Sequence, residues 1–235
     1  MVKRSTWRWR MTMLKGFIFD LDGVLTDTAT YHLAAWHELA QRLAIHLPAA
    51  ADTALRGRSR MDSLNLILRY GHQENDYDEA QKAALAAEKN QRYQTFIQSL
   101  TSADILPGIP ALLKNAKQAG LKLAIASASK NAPLILQRLG LFAQFDAIVD
   151  PQSLHHGKPD PEIYRAAQEL LKLQADEVIS FEDAPVGIAA IKAAGQFAVG
   201  IGEASALAAA DYLVSNTAQL DYNQIVAAFE RYHAR

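Results

Sequence analysis

Behind residue 100 the chain alternates short apolar runs with helical stretches, and this alternation constrains the fold more than any other feature. Leu121–Ala126 (LKLAIA), Phe145–Val149 (FDAIV), Glu177–Phe181 (EVISF), Phe197–Ile201 and Tyr212–Val214 read as strands. Around them lie the helical segments Ile109–Gly120, Ala132–Leu139, Pro161–Leu173, Val186–Ala194, Ala204–Ala209 and Tyr222–Tyr232. Strands joined through helices pair in parallel, and the helices then cover the sheet. Leu14–Leu21 (LKGFIFDL) adds one more buried strand.

From Thr28 the pattern turns helical and stays so. Leu33, Trp36, Leu39, Ala40 and Leu43 recur at threes and fours and make one apolar face. Asp52–Tyr70 is a second helical region interrupted by Gly57, and Tyr77–Leu100 is a long polar helix anchored by Leu85, Tyr93 and Ile97. The expected architecture is α/β: a doubly wound parallel-sheet (Rossmann-like) core with an inserted helical cap domain. The core takes residues 14–27 and 101–235 and the cap 28–100, with crossings near Thr26–Thr30 and Leu100–Gly108.

Composition removes several function classes. Half of the residues are hydrophobic, enough apolar surface to offset chain entropy, so a disordered chain is excluded. The absence of Cys excludes a disulfide framework, Cys-based zinc sites, iron–sulfur ligation and thiol nucleophiles. A formal net charge of −1 gives no broad footprint for nucleic acid or acidic membranes. No run reaches the ~18 apolar residues of a membrane span. A cytoplasmic protein is expected, with no nucleic-acid or membrane partner and monomer as the default. Residues 1–13 (MVKRSTWRWRMTM) are basic and aromatic without the apolar region of a signal peptide, and read as a disordered or non-native extension. A short transit peptide or a weak basic anchor are the alternatives.

Ligands of an open α/β sheet bind outside the carboxyl ends of its strands. The first strand ends in Asp20-Leu21-Asp22-Gly23, LAIA in Ser127-Ala128-Ser129-Lys130-Asn131, and EVISF in Glu182-Asp183. FDAIV is followed by Asp150 and, across a loop, Lys158-Pro159. Carboxylates crowded on one rim repel unless a cation joins them, and all-oxygen ligands suit Mg²⁺. A carboxylate beside Mg²⁺ can attack phosphorus, while Ser127 and Lys158 hold phosphoryl oxygens. Asp22, two residues beyond Asp20, can serve the ester oxygen as general acid and then base.

Phe19-Asp20-Leu21-Asp22-Gly23-Val24-Leu25-Thr26-Asp27-Thr28 resembles the first signature of the haloacid dehalogenase superfamily. Ser127, Lys158-Pro159 and Glu182-Asp183 match its second, third and fourth signatures in order, and the helical insert resembles its small cap. Within it, Ser127–Asn131 and the cap segment Leu55-Arg56-Gly57-Arg58-Ser59-Arg60 look like the β-phosphoglucomutases.

That resemblance implies interconversion of β-D-glucose 1-phosphate and glucose 6-phosphate through an aspartyl-phosphate enzyme, with glucose 1,6-bisphosphate as intermediate and activator. It implies Asp20 as nucleophile, and Asp22 as acid/base with its backbone carbonyl on Mg²⁺. Asp183 would be a direct metal ligand and Glu182 a direct or water-mediated one. Ser127, Lys158 and the Ala128 amide would clamp the reacting phosphoryl group. Arg60, Ser129, Lys130 and Asn131 would hold the other phosphate. Thr28 would lie at the cap hinge, His32 and Lys89 would couple cap closure to Asp22, and Arg56 and Gly57 would face the sugar. The mutases usually carry Lys at the position of Arg56, and Arg changes the geometry of that charge.

Plainer readings stand beside these. Asp20-Leu21-Asp22 alone is a solvated turn, Lys158-Pro159 a helix start, and Glu182-Asp183 a helix cap. His155-His156 read as exposed loop residues, since no third metal ligand is near, and Trp36 reads as a core anchor. Arg56 and Arg58 serve equally as surface charges, and Lys89 as a solvated residue. Two alternative functions remain: a sugar-phosphate phosphatase of the same superfamily, and a receiver-type phosphoacceptor module. The receiver type needs no large insert after strand one.

Overall fold

A computed structural model describes residues 14–234, so the expectation for residues 1–13 lies outside the described residues. Six strands form one sheet in the order β3-β2-β1-β4-β5-β6, every pair parallel. They are β1 (Gly16–Phe19), β2 (Lys122–Ile125), β3 (Ala147–Ile148), β4 (Val178–Glu182), β5 (Phe197–Ile201) and β6 (Tyr212–Val214). The core helices are α5 (Ile109–Gln118), α6 (Ala132–Arg138), α7 (Glu162–Leu171), α8 (Pro185–Ala193) and α9 (Tyr222–His233). Between β1 and α5 lie α1 (Ala29–Arg42), α2 (Ala50–Leu55), α3 (Arg60–Tyr70) and α4 (Glu79–Ile97). The doubly wound sheet with its helical insert is as the sequence implied.

The central strands β1, β4 and β5 are buried along their length because both faces are covered, and they are apolar but for Ser180 and Glu182 of β4. Phe17, Phe19 and Phe181 are fully buried on one face, with Phe19 and Phe181 stacked at a centroid distance of 4.5 Å. Ile18, Ala124 and Ala198 face the other side, against Ile163, Tyr164 and Ala167 of α7 and Ile188 and Ile191 of α8. α7 shows how the sequence makes a helix here: Ile163, Tyr164, Ala167 and Leu171 return at near-helical spacing and all are buried.

The inserted helices have a cluster of their own around Trp36, Leu39, Leu64, Ile67 and Leu68, so Trp36 is the anchor its spacing implied. They are also stitched to the core: Ala35, Tyr93 and Ile97 pack in the large cluster that includes Phe17 and Phe19. The region read as one interrupted helix is two helices, α2 and α3, with Arg56–Ser59 between them. The helix expected over Ala204–Ala209 is a series of turns. Six residues with Gly202 before them leave too few consecutive bonds to offset helix nucleation. No helix among the described residues is long and apolar enough to cross a membrane.

Candidate active site

Strand order reverses between β1 and β4, and a crevice opens there because their following segments turn to opposite sides. Asp20 follows β1 directly, and its amide donates to Phe181 O at 3.0 Å, the last ladder bond before the crevice. Ser127 follows β2 just beyond Ala126, whose amide donates to Phe19 O at 2.8 Å. Lys158 arrives from the loop before α7 and donates to Asp20 Oδ1 at 2.9 Å and Glu182 Oε2 at 2.6 Å. All four side chains are buried.

Their charges are unbalanced. Burial, followed by Glu182 and Asp22, pushes Asp20 well above the usual carboxylate range, with Lys158 pulling against it. Burial and Glu182 push Asp183 up to about 7, with Arg56 and Lys158 opposing. Burial alone would lower Lys158, but Asp20 and Glu182 outweigh it and hold Lys158 above the usual lysine value. One buried ammonium thus faces three carboxylates. Oxygens of Asp20, Glu182 and Asp183 lie within 4.8 Å of one another, a hard-donor set that fits a small divalent cation. Glu182 Oε2 also accepts from Tyr164 Oη at 2.5 Å, and Oε1 from the Asp183 and Ala184 amides at 3.2 and 3.1 Å. A carboxylate has about four acceptor sites, and those of Glu182 are taken. Asp20 and Asp183 keep the free capacity for direct ligation, and Glu182 orients the set.

Gly187, in the first turn of α8, makes room for this. A Cβ there would lie 2.0 Å from Glu182 Cδ, inside its van der Waals envelope. Gly187→Ala should therefore destabilise the protein by ~1–3 kcal/mol, as overpacked cores do. It should also weaken stabilisation by added divalent cation. A thermal melt with and without Mg²⁺ checks this, and a wild-type midpoint with a wild-type metal shift would refute it.

The insert closes over the crevice. Thr28, fully buried at the start of α1, donates to Asp22 Oδ1. Asp22 is raised by burial, with Thr28, Lys89 and Lys158 opposing, a direction that suits a group required to carry a proton. Lys89 is buried, not solvated: its Nζ sits 4.4 Å from the Trp36 ring centroid and 2.7 Å from His32 Nδ1. Burial brings Lys89 down to about 7. Burial, then Lys89 and Arg60, hold His32 well below its usual value and disfavour its charged form. The other ring nitrogen, Nε2, lies 3.8 Å from Asp22 Oδ1. Tyr93, fully buried, stacks on His32 at 3.8 Å.

Arg56 is no plain surface charge: its Nη1 meets Asp183 Oδ2 at 3.2 Å across the crevice. Gly57 has φ of +70°, a left-handed conformation that glycine adopts freely, and a Cβ there would lie 3.0 Å from Ala184 Cβ. Arg58 donates to Ala54 O at 2.6 Å on its own side of the crevice. Arg60 Nη2 donates to Asn90 Oδ1 at 2.8 Å. Ala128 lines the same cleft, and the Ser129 amide donates to Ser127 Oγ at 3.1 Å. Asn131 immediately precedes α6 without a side-chain capping bond and is buried, whereas Lys130 is exposed and donates to Gln152 Oε1 at 2.9 Å. The two histidines are exposed, and His155 pairs with Glu162.

Tyr164, Asn90, Gln94, Tyr93 and Gly187 were not singled out from the sequence as site residues. A signal existed on α4: Lys89 falls midway between Leu85 and Tyr93 at four-residue spacing, in register with the anchoring stripe, and Asn90 and Gln94 form the next row.

A family profile for haloacid dehalogenase-like hydrolases matches residues 14–195. β-Phosphoglucomutase of Bacillus subtilis (strain 168) is 43% identical over 222 residues, 94% of this chain and 98% of that protein. Fructose-1-phosphate phosphatase YqaB of Escherichia coli (strain K12) is 30% identical over 186 residues, 79% of this chain and 95% of that one. The crystal structure of β-phosphoglucomutase from Clostridium difficile superposes with a TM-score of 0.93 at 41% identity, covering 95% of this chain and all of that one.

Proposed function

Because the chain belongs to the haloacid dehalogenase-like hydrolase family, as its strand-end motifs implied, we propose that it is a β-phosphoglucomutase. It interconverts β-D-glucose 1-phosphate and glucose 6-phosphate. The observation that carries this reading is the presence of two separated sets of cationic and hydrogen-bonding groups, each suited to a phosphate, around one Asp20–Asp22 pair. Lys158 bonds to Asp20 and Ser127 lines the same cleft, while Arg60 from the cap and Asn131 from the core both donate to Asn90 Oδ1 over the crevice. A phosphatase needs only the first set. A mutase must hold a substrate with a phosphate at each end.

The chemistry follows from these groups. Asp20 Oδ attacks the phosphorus of the bisphosphate, and the bond from phosphorus to the sugar oxygen breaks. Asp22 gives its proton to that oxygen. In the return step Asp22 removes a proton from the sugar hydroxyl as it attacks phospho-Asp20, and the carboxylate of Asp20 leaves. No water is consumed, so the cap must exclude it from phospho-Asp20. Asp20 and Asp183, with the Asp22 carbonyl and Glu182 in support, would hold a divalent ion, Mg²⁺ in our reading, which would supply countercharge to the phosphoryl oxygens. Glucose 1,6-bisphosphate primes the cycle by phosphorylating Asp20. A monomeric cytoplasmic enzyme acting on a small sugar phosphate completes the reading.

One reaction followed two ways tests it. Protein, Mg²⁺, β-glucose 1-phosphate and trace glucose 1,6-bisphosphate should yield glucose 6-phosphate with little free phosphate. Free phosphate without isomerisation would make the protein a phosphatase.

A further inference from the structure

Asn90 lies on α4 next to Lys89, and its side-chain carbonyl serves two elements at once. It accepts from Arg60 Nη2 on α3 at 2.8 Å and from Asn131 Nδ2 at the start of α6 at 2.9 Å. One turn further on, Gln94 Nε2 donates to Asn131 Oδ1 at 3.1 Å. The insert and the core are therefore joined at two of the groups assigned to the non-reacting phosphate. Two donors converging on one oxygen is also the arrangement a phosphate oxygen would meet.

We propose that Asn90 is a positioning residue whose neutral carbonyl holds Arg60 and Asn131 at the spacing the non-reacting phosphate requires. This deepens the mutase reading and rests on it. Arg60 and Asn131 belong to different parts of the fold, and each unrestrained side chain loses rotamer freedom on binding. A shared acceptor removes part of that loss in advance. The acceptor must also be uncharged. A carboxylate would satisfy both donors but neutralise Arg60, which must stay positive to attract a phosphate dianion. The bound class is a sugar ester with a second phosphate, and Asn90 selects for it without touching it.

The test compares wild type, Asn90→Ala and Asn90→Asp. Binding of glucose 1,6-bisphosphate is measured by calorimetry in an Asp20→Asn background, where turnover is blocked. Steady-state kinetics are measured with Asp20 intact. Asn90→Ala should raise Kd and the KM for the bisphosphate by ~5–10-fold while kcat changes much less. Asn90→Asp keeps both acceptor bonds and the fold, yet should weaken binding by ~10-fold or more. A merely structural role predicts the opposite order, with Asp rescuing Ala. Tight binding by Asn90→Asp, or a fall in kcat with Kd unchanged, would overturn the proposal. Absence of isomerisation in the wild type would overturn the mutase reading separately, and the binding order would still decide the role of Asn90.

Discussion

An Asp20→Asn variant is expected to lose glucose 6-phosphate formation by ~10⁴-fold or more, because the attacking oxygen becomes part of a weakly nucleophilic amide. The same change should leave the protein folded. Asp20 is one of three carboxylates around a single buried ammonium, and burial with its acidic neighbours disfavours its charged form. Asparagine has nearly the same shape, removes one negative charge from that crowd, and keeps an oxygen to accept from Lys158. In metal-free buffer its thermal midpoint should equal or exceed that of the wild type. Activity and midpoint, measured on one preparation, therefore move independently. Residual turnover above about one per cent of wild type would contradict the assignment of Asp20 as nucleophile.

Lys158→Met is expected to do the reverse, damaging stability and activity together. The ammonium makes buried bonds of 2.9 and 2.6 Å to Asp20 and Glu182, and methionine fills the space without the charge. Removing one partner of a buried ion pair costs ~3–5 kcal/mol, which for a chain of this size lowers the midpoint by on the order of 10 °C. A divalent cation among the same carboxylates should recover part of this, since a ligand that binds only the folded state stabilises it. Pairing the change with Glu182→Gln should recover part as well, by removing the stranded charge. Turnover should fall by ~10²–10³-fold even in the recovered protein, the usual loss for one preorganised phosphoryl or oxyanion donor. Thermal unfolding with and without Mg²⁺, followed by turnover, reads all of this. A midpoint indifferent to the loss of Lys158 would mean that the buried pair contributes little.

The strand-end carboxylates Asp20, Asp22, Glu182 and Asp183 are legible in the sequence, because each follows an apolar run whose end is marked by a turn or a helix start. The same logic locates Ser127 and Lys158. It works less well in the insert, where Lys89, Asn90 and Gln94 lie inside a helix and no strand end marks them. Lys89 reads as solvated on a helix of polar composition, yet it is buried between Trp36 and His32. Arg56 reads as a surface charge because nothing local shows that its helix boundary faces Asp183, 127 residues away. Asn90 and Gln94 look like ordinary helix-surface residues until Asn131 is brought against them.

By itself the sequence determined the α/β class, the helical insert and the polar residues that end each strand, because hydrophobic periodicity and turn chemistry act over only a few residues. Only the tertiary structure decided the strand order that sets β1 beside β4. It also decided the meeting of Lys158 with Asp20 across 138 residues, and the joining of insert and core through Asn90. These juxtapositions depend on how apolar faces pack, and packing is a property of the whole chain.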